Sequence, residues 1–148
     1  MKTLPVILLI FTMTATFAQS IDYNTKKGAI AEGYDVVSYF EGNPTEGSAD
    51  FKIDYDHVLF KFSSEENLKR FRQDPEKYIP QYGGYCAYAI ASGKKVRINP
   101  ESFVIRDKKL YLFYNAHGTN TLDLWNEEGA EKLQKEADKN WQKIKFNN

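Results

Sequence analysis

Cysteine is nearly missing from this chain: of 148 residues, only Cys86 carries a thiol. One thiol excludes an internal disulfide, so any sulfur bridge would have to reach another molecule. Histidine is almost as scarce, with His57 and His117 the whole supply. Neither an H-x-x-x-H nor a C-x-x-C spacing occurs, which argues against a closed four-ligand zinc site. Charge of one sign is lacking too: Lys+Arg and Asp+Glu both number 20. Balanced, interspersed charge argues against nucleic acid or an anionic membrane as partner. There is no G-x-S-x-G elbow for a hydrolase, no phosphate-binding glycine loop, no internal repeat and no glycine- or proline-rich linker.

The opening MKTLPVILLIFTMTATFAQS has a basic n-region at Lys2, an apolar stretch from Leu4 to Phe11 and small residues at Thr16-Phe17-Ala18. That layout predicts a secretory signal peptide over residues 1–18, cleaved after Ala18. The apolar stretch is shorter than the roughly 20 residues a bilayer crossing needs. No cysteine lies near the cleavage point to carry a lipid anchor. The expectation is an exported protein, periplasmic or secreted and soluble, with no membrane contact after cleavage. The remaining residues suit one domain, read as a lead segment over 19–32 and a folded unit over 33–146. The sequence leaves its oligomeric state open.

Residues 51–55 (FKIDY) and 58–62 (VLFKF) alternate as paired strands, with Asp56-His57 as a tight turn. Ser63 followed by Glu66 reads as a capping box opening a helix with Leu68 and Phe71 on its apolar face. Pro75 stops that helix, and Asp74-Pro75 opens a further turn. YCAYAIASG reads as a short helix closed by Gly93. Residues 94–98 (KKVRI), 103–106 and 109–114 read as strands, with turns at Asn99-Pro100 and Asp107-Lys108. Leu133, Ala137, Trp141 and Ile144 mark one face of a terminal helix, with Trp125 docking just before it. Together these elements predict a small α+β domain.

The stretch YDVVSYF … FKIDYDHVLFKFSSEENLKRFRQDPEKYIPQYGGYCA resembles the YHS domain, a hairpin-plus-helix module, over about residues 33–90. With LYLFY and the terminal Ala137-Asp138-Lys139-Asn140-Trp141, it is similar to the exported, single-domain group within that family. Many YHS domains carry a metal-type pattern, DPVCGM near the start and FCSxxC at the hairpin–helix junction. Here Ser38, Ser63 and Asn67 stand at the three thiol positions. Serine and asparagine offer no thiolate to a soft metal, so that role does not transfer to these positions. In the exported group the GGYC cysteine is replaced in some members by selenocysteine, and the resemblance therefore implies chalcogen chemistry at Cys86.

The residues around Cys86 make the same point physically. Gly83 and Gly84 permit a sharp turn and close approach of a ligand. A helix beginning near Gly84 would put Cys86 in its first turn, where free N–H groups favour a thiolate and lower a cysteine pKa from about 8.5 to roughly 3.5–7.5. Tyr82, Tyr85 and Tyr88 would shield the sulfur or donate to it, while Asp35 and Tyr39 would border the same cavity. Packing is the competing explanation for the tyrosines, a turn or cap for Asp35, and a solvated strand face for Lys94, Lys95 and Arg97. Three functions stay open: thiol redox chemistry at Cys86 with a small oxidant or thiol reductant; a soft-metal module, copper the natural ion, held by Cys86 with His117 or, less readily, His57; and a structural or interaction domain with an inert thiol.

Overall fold

The computed structural model describes residues 19–146, so the predicted leader at 1–18 lies outside the described residues. Strands β1 (Thr25–Lys26), β2 (Ala29–Ile30), β3 (Ser48–Tyr55) and β4 (Val58–Phe62) form a sheet in the order β1-β2-β4-β3. β3 and β4 are the expected antiparallel hairpin; β2 joins it in parallel, with Ala29 opposite Leu59. Along β4 the alternation read from sequence holds, with Val58, Phe60 and Phe62 buried. Asp56 and His57 both have positive φ, 49° and 64°. Two-residue hairpin turns of the primed type require that, because only they match the strand twist. Lys27-Gly28, Asp107-Lys108 and His117-Gly118 use the same solution.

Helix α1 (Glu65–Gln73) lays Leu68 and Phe71 on the sheet, with the Phe71 ring 4.7 Å from Phe60 and 5.2 Å from Phe62. Its cap is Ser64, whose Oγ accepts from the Asn67 N–H at 3.1 Å. The expected cap, Ser63, is one residue too early and bonds elsewhere. Pro75 opens α2 (Pro75–Tyr78). Helix α3 (Ala87–Ala91) follows, and Gly93, with φ 74°, turns the chain out of it.

Residues 94–98 form no strand ladder, contrary to the reading of KKVRI. The ladder instead begins at Asn99, as β5 (Asn99–Arg106) pairs with β6 (Lys109–Phe113) across an irregularity between Asn99 and Phe103. A small hairpin, β7 (Asn115–Ala116) and β8 (Thr119–Asn120), leads into α4 (Thr121–Glu128). Trp125, just ahead of the tail helix as expected, sits within α4 and is buried with Leu133 and Ala137. Helix α5 (Ala130–Ile144) closes the domain with Leu133 and Ala137 buried.

The result is the α+β domain that the pattern predicts. Its interior has two apolar clusters. One joins the sheet and α1, around Tyr39, Phe60, Phe62 and Phe71, and includes Cys86. The other, around Ile90, Tyr111, Phe113 and Trp125, unites α3, β6, α4 and α5, and includes Ala87. The chain crosses between them at Cys86-Ala87. Among the described residues, no helix is long and apolar enough to cross a membrane.

Candidate functional site

The GGYC segment is built by an unusual backbone. Tyr82, Gly83 and Gly84 all have positive φ, 56°, 59° and 78°. Glycine tolerates this region freely; tyrosine does so only when surroundings hold it there. Tyr82 is held by its hydroxyl, which donates to Asp138 at 2.8 Å. Burial, reinforced by Asp138, pushes its phenol pKa far up. The close approach the glycines allow is made by the chain itself. Asn24 donates from its backbone N–H to the Gly83 carbonyl (2.8 Å) and from its side-chain amide to the Gly84 carbonyl (3.0 Å). A Cβ on Gly83 would lie 2.6 Å from the Asp22 carbonyl oxygen and 3.0 Å from Trp141. Residues 22–24 thus lie as a strap against the turn. Asp22 is further pinned by Lys95 Nζ at 2.6 Å and the Tyr85 hydroxyl at 3.1 Å.

The helix after this turn starts at Ala87, so Cys86 is its flanking residue rather than a member of its first turn. Its side chain is 0% exposed. Its N–H donates to the Val96 carbonyl at 3.0 Å, and Sγ lies 3.3 Å from Thr121 Oγ1. Thr121 commits its own hydroxyl proton to the Tyr114 carbonyl at 2.8 Å. The Cys86 S–H is therefore the donor to Thr121, and the thiol proton has a buried acceptor. Tyr88, half-buried, turns its hydroxyl to Glu128 at 2.7 Å, a bond that with burial raises its pKa. Tyr85 is pushed up to about 12 by burial and the Asp22 bond. Each GGYC tyrosine thus donates to a carboxylate, and none donates to the sulfur.

Asp35, fully buried, organises a second hydrogen-bonded cluster. Its Oδ1 accepts from Val37 N–H (2.9 Å), and its Oδ2 from Ser63 N–H (2.9 Å), Ser63 Oγ (2.7 Å) and Asn67 Nδ2 (2.8 Å). Ser38 Oγ donates to the Asp35 carbonyl at 2.7 Å and accepts from Thr45 N–H at 3.0 Å. Tyr39 packs with Cys86 in the first apolar cluster and sends its hydroxyl to the Pro100 carbonyl at 2.6 Å. Burial drives its phenol pKa strongly upward. Among the described residues no hydrogen bond links the Asp35 cluster to the thiol.

His57 and His117 occupy exposed two-residue turns, apart from the enclosed sulfur. On the surface, two adjoining concavities share Glu32 and Arg97. One, of about 230 Å³, is also lined by Asn24, Thr25 and Lys26. The other, of about 290 Å³, extends past Ile98 and Pro100 to Tyr114 and Ala116. Glu32 is paired with Lys26 at 2.8 Å, and Ala31, Glu32 and Gly33 form a second left-handed run. Sequence reading missed this tract, the strap and Thr121. No local pattern announces them, since each depends on segments far apart in the chain.

Fold and cluster together define a compact α+β domain whose hairpin and following helix are tied to the preceding loop through one buried carboxylate. The profile of the YHS domain family matches residues 36–82, so this part of the chain is a YHS domain. No curated protein matches the chain, and no solved structure does.

The metal implied by that family does not fit the residues present. Ser38, Ser63 and Asn67 meet around Asp35, but their polar atoms are already engaged: Asn67 Oδ1 accepts from Arg70 at 3.3 Å while its amide donates to Asp35. Among the described residues no group of three or more His, Cys, Asp or Glu side chains is arranged to hold a metal ion.

Proposed function

We propose that the protein acts by binding rather than by catalysis, with Cys86 as a structural thiol. The observation that carries this reading is the enclosure of Cys86: 0% exposed, its proton given to Thr121. Thiol–disulfide exchange needs an attacking sulfur that a partner can reach in line, and oxidation to a sulfenic acid likewise follows exposure. A soft-metal site needs further ligands beside the thiolate. The histidines stand in exposed turns, and the side chain hydrogen-bonded to the sulfur is a threonine hydroxyl. The surface best suited to a ligand is the tract shared by Glu32 and Arg97. There the guanidinium makes no ion pair among the described residues, while Lys26 contributes a second cation. A carboxylate- or phosphate-bearing small molecule matches that chemistry. The leader-like residues 1–18 support an exported site of action, and a mature N-terminus other than Gln19 would count against the cleavage point.

The test is the alkylation rate of Cys86 in native and urea-unfolded protein, with copper(I) titration alongside. A native rate at least about a hundredfold slower, unchanged by copper(I), is expected of a thiol that reacts only through opening. Native reaction at the unfolded rate, or stoichiometric copper(I) binding lost in Cys86→Ser, would overturn the structural assignment.

A further inference from the structure

We infer that the hydrogen-bond cluster around Asp35 holds this YHS core together without a metal ion. Three segments must be held together here: the loop carrying Asp35 and Ser38, the end of β4 at Ser63, and the first turns of α1 at Asn67. A metal would join them by coordination to side chains from each. In this chain one carboxylate does so from inside, accepting four hydrogen bonds from Val37, Ser63 and Asn67. The polarity is inverted relative to a metal centre. A cation gathers electron-pair donors, whereas a carboxylate gathers N–H and O–H donors. Serine and asparagine are the residue types that supply such donors, so Ser63 and Asn67 follow from the carboxylate at the hub, while Ser38 ties the same loop by donating to the Asp35 backbone carbonyl.

Two further observations support the assignment. The cluster is complete, since no buried side-chain nitrogen or oxygen among the described residues lacks a partner. It is also extended outward: Arg70 donates to Asn67 Oδ1 and is itself paired with Glu41, so the amide that faces Asp35 is oriented from behind. A hydrogen-bonded carboxylate in a closed site loses most of its value if any donor is removed, and an isosteric amide would turn an N–H₂ toward N–H groups of Val37, Ser63 or Asn67, which can only donate.

The experiment uses the full chain made without a polyhistidine tag, and reads thermal midpoints. The wild type is expected to keep its midpoint, within about 1 °C, in excess chelator and in one equivalent of zinc or copper(I). Asp35→Asn is expected to lower the midpoint by about 8 °C or more, and Ser63→Ala by a smaller amount, since its backbone N–H still reaches the carboxylate. If Asp35→Asn fails to fold, the graded loss in Ser63→Ala and Asn67→Ala carries the test. A midpoint that falls in chelator overturns the inference, as does a metal-induced rise that Asp35→Asn abolishes and Cys86→Ser leaves intact. An Asp35→Asn protein as stable as the wild type overturns it equally. These outcomes are separate from the state of Cys86, so the structural-thiol assignment above stands or falls on its own experiment.

Discussion

Replacing Gly83 by alanine tests whether the glycine pair serves the chain or a ligand. At φ 59° an L-residue is strained, costing about 1–2 kcal/mol. The new methyl would sit 2.6 Å from the Asp22 carbonyl and 3.0 Å from Trp141, so the strap has to move. Displacement loosens the two bonds from Asn24 to Gly83 and Gly84, each worth about 1 kcal/mol net. Gly83→Ala is therefore expected to cost about 3–4 kcal/mol. Gly93→Ala supplies the control, since Gly93 has φ 74° but nothing within 4 Å of an added Cβ. It should lose only the backbone part, about 1–2 kcal/mol. Urea unfolding followed by tryptophan fluorescence gives both values on one protein. Limited proteolysis should then cut residues 19–24 faster in Gly83→Ala than in Gly93→Ala. Equal losses in the two variants, with the strap equally resistant, would refute the argument that Gly83 exists to seat residues 22–24.

Other expectations follow from the same contacts. Burial raises the pKa values of Tyr39, Tyr82, Tyr85 and Tyr111, the last two to about 12. A folded-state pKa above the unfolded value of about 10 means full stability below pH 10, lost as pH rises toward and through 12; denaturation midpoints measured across that range should fall, and a flat profile would contradict the assignment. Thr121→Val leaves the Cys86 S–H and part of the Tyr114 carbonyl unpaired, at a cost of about 1–2 kcal/mol, and should speed native-state alkylation of Cys86. Ser64→Ala should cost about 1 kcal/mol as a lost helix cap; a neutral result in urea would mean the cap is dispensable. Arg97→Glu should remove any chemical-shift response of the Glu32 tract to phosphate or citrate, and an unchanged response would move the ligand site elsewhere.

What the sequence made legible was local. The β3–β4 hairpin, α1 with its two apolar anchors, the β5–β6 turn and the face of α5 each rest on a period and a turn within a dozen residues. Ser63 shows the limit. It fits a capping box on paper, yet Ser64 caps because the Ser63 hydroxyl is claimed by Asp35, 28 positions away. Residues 94–98 alternate well enough for a strand, but their neighbours are the turn before α3 and the strap, not another strand. That Cys86 is the one thiol and follows a glycine turn was legible. What the pattern could not show was that residues 22–24 fill the approach and that Thr121 caps the sulfur. Long-range hydrogen bonds decide both.

The contact between the two ends of the domain has a mechanical consequence. Asp22 N–H donates to the Lys145 carbonyl at 2.7 Å, and Ile21 bridges to Phe146. Both tails therefore emerge side by side, and tension applied between them would open that bridge one bond at a time, like a zipper, instead of loading the strands in shear. The same adjacency suits the domain to backbone cyclisation: a short peptide joining residue 146 to residue 19 would close that seam covalently.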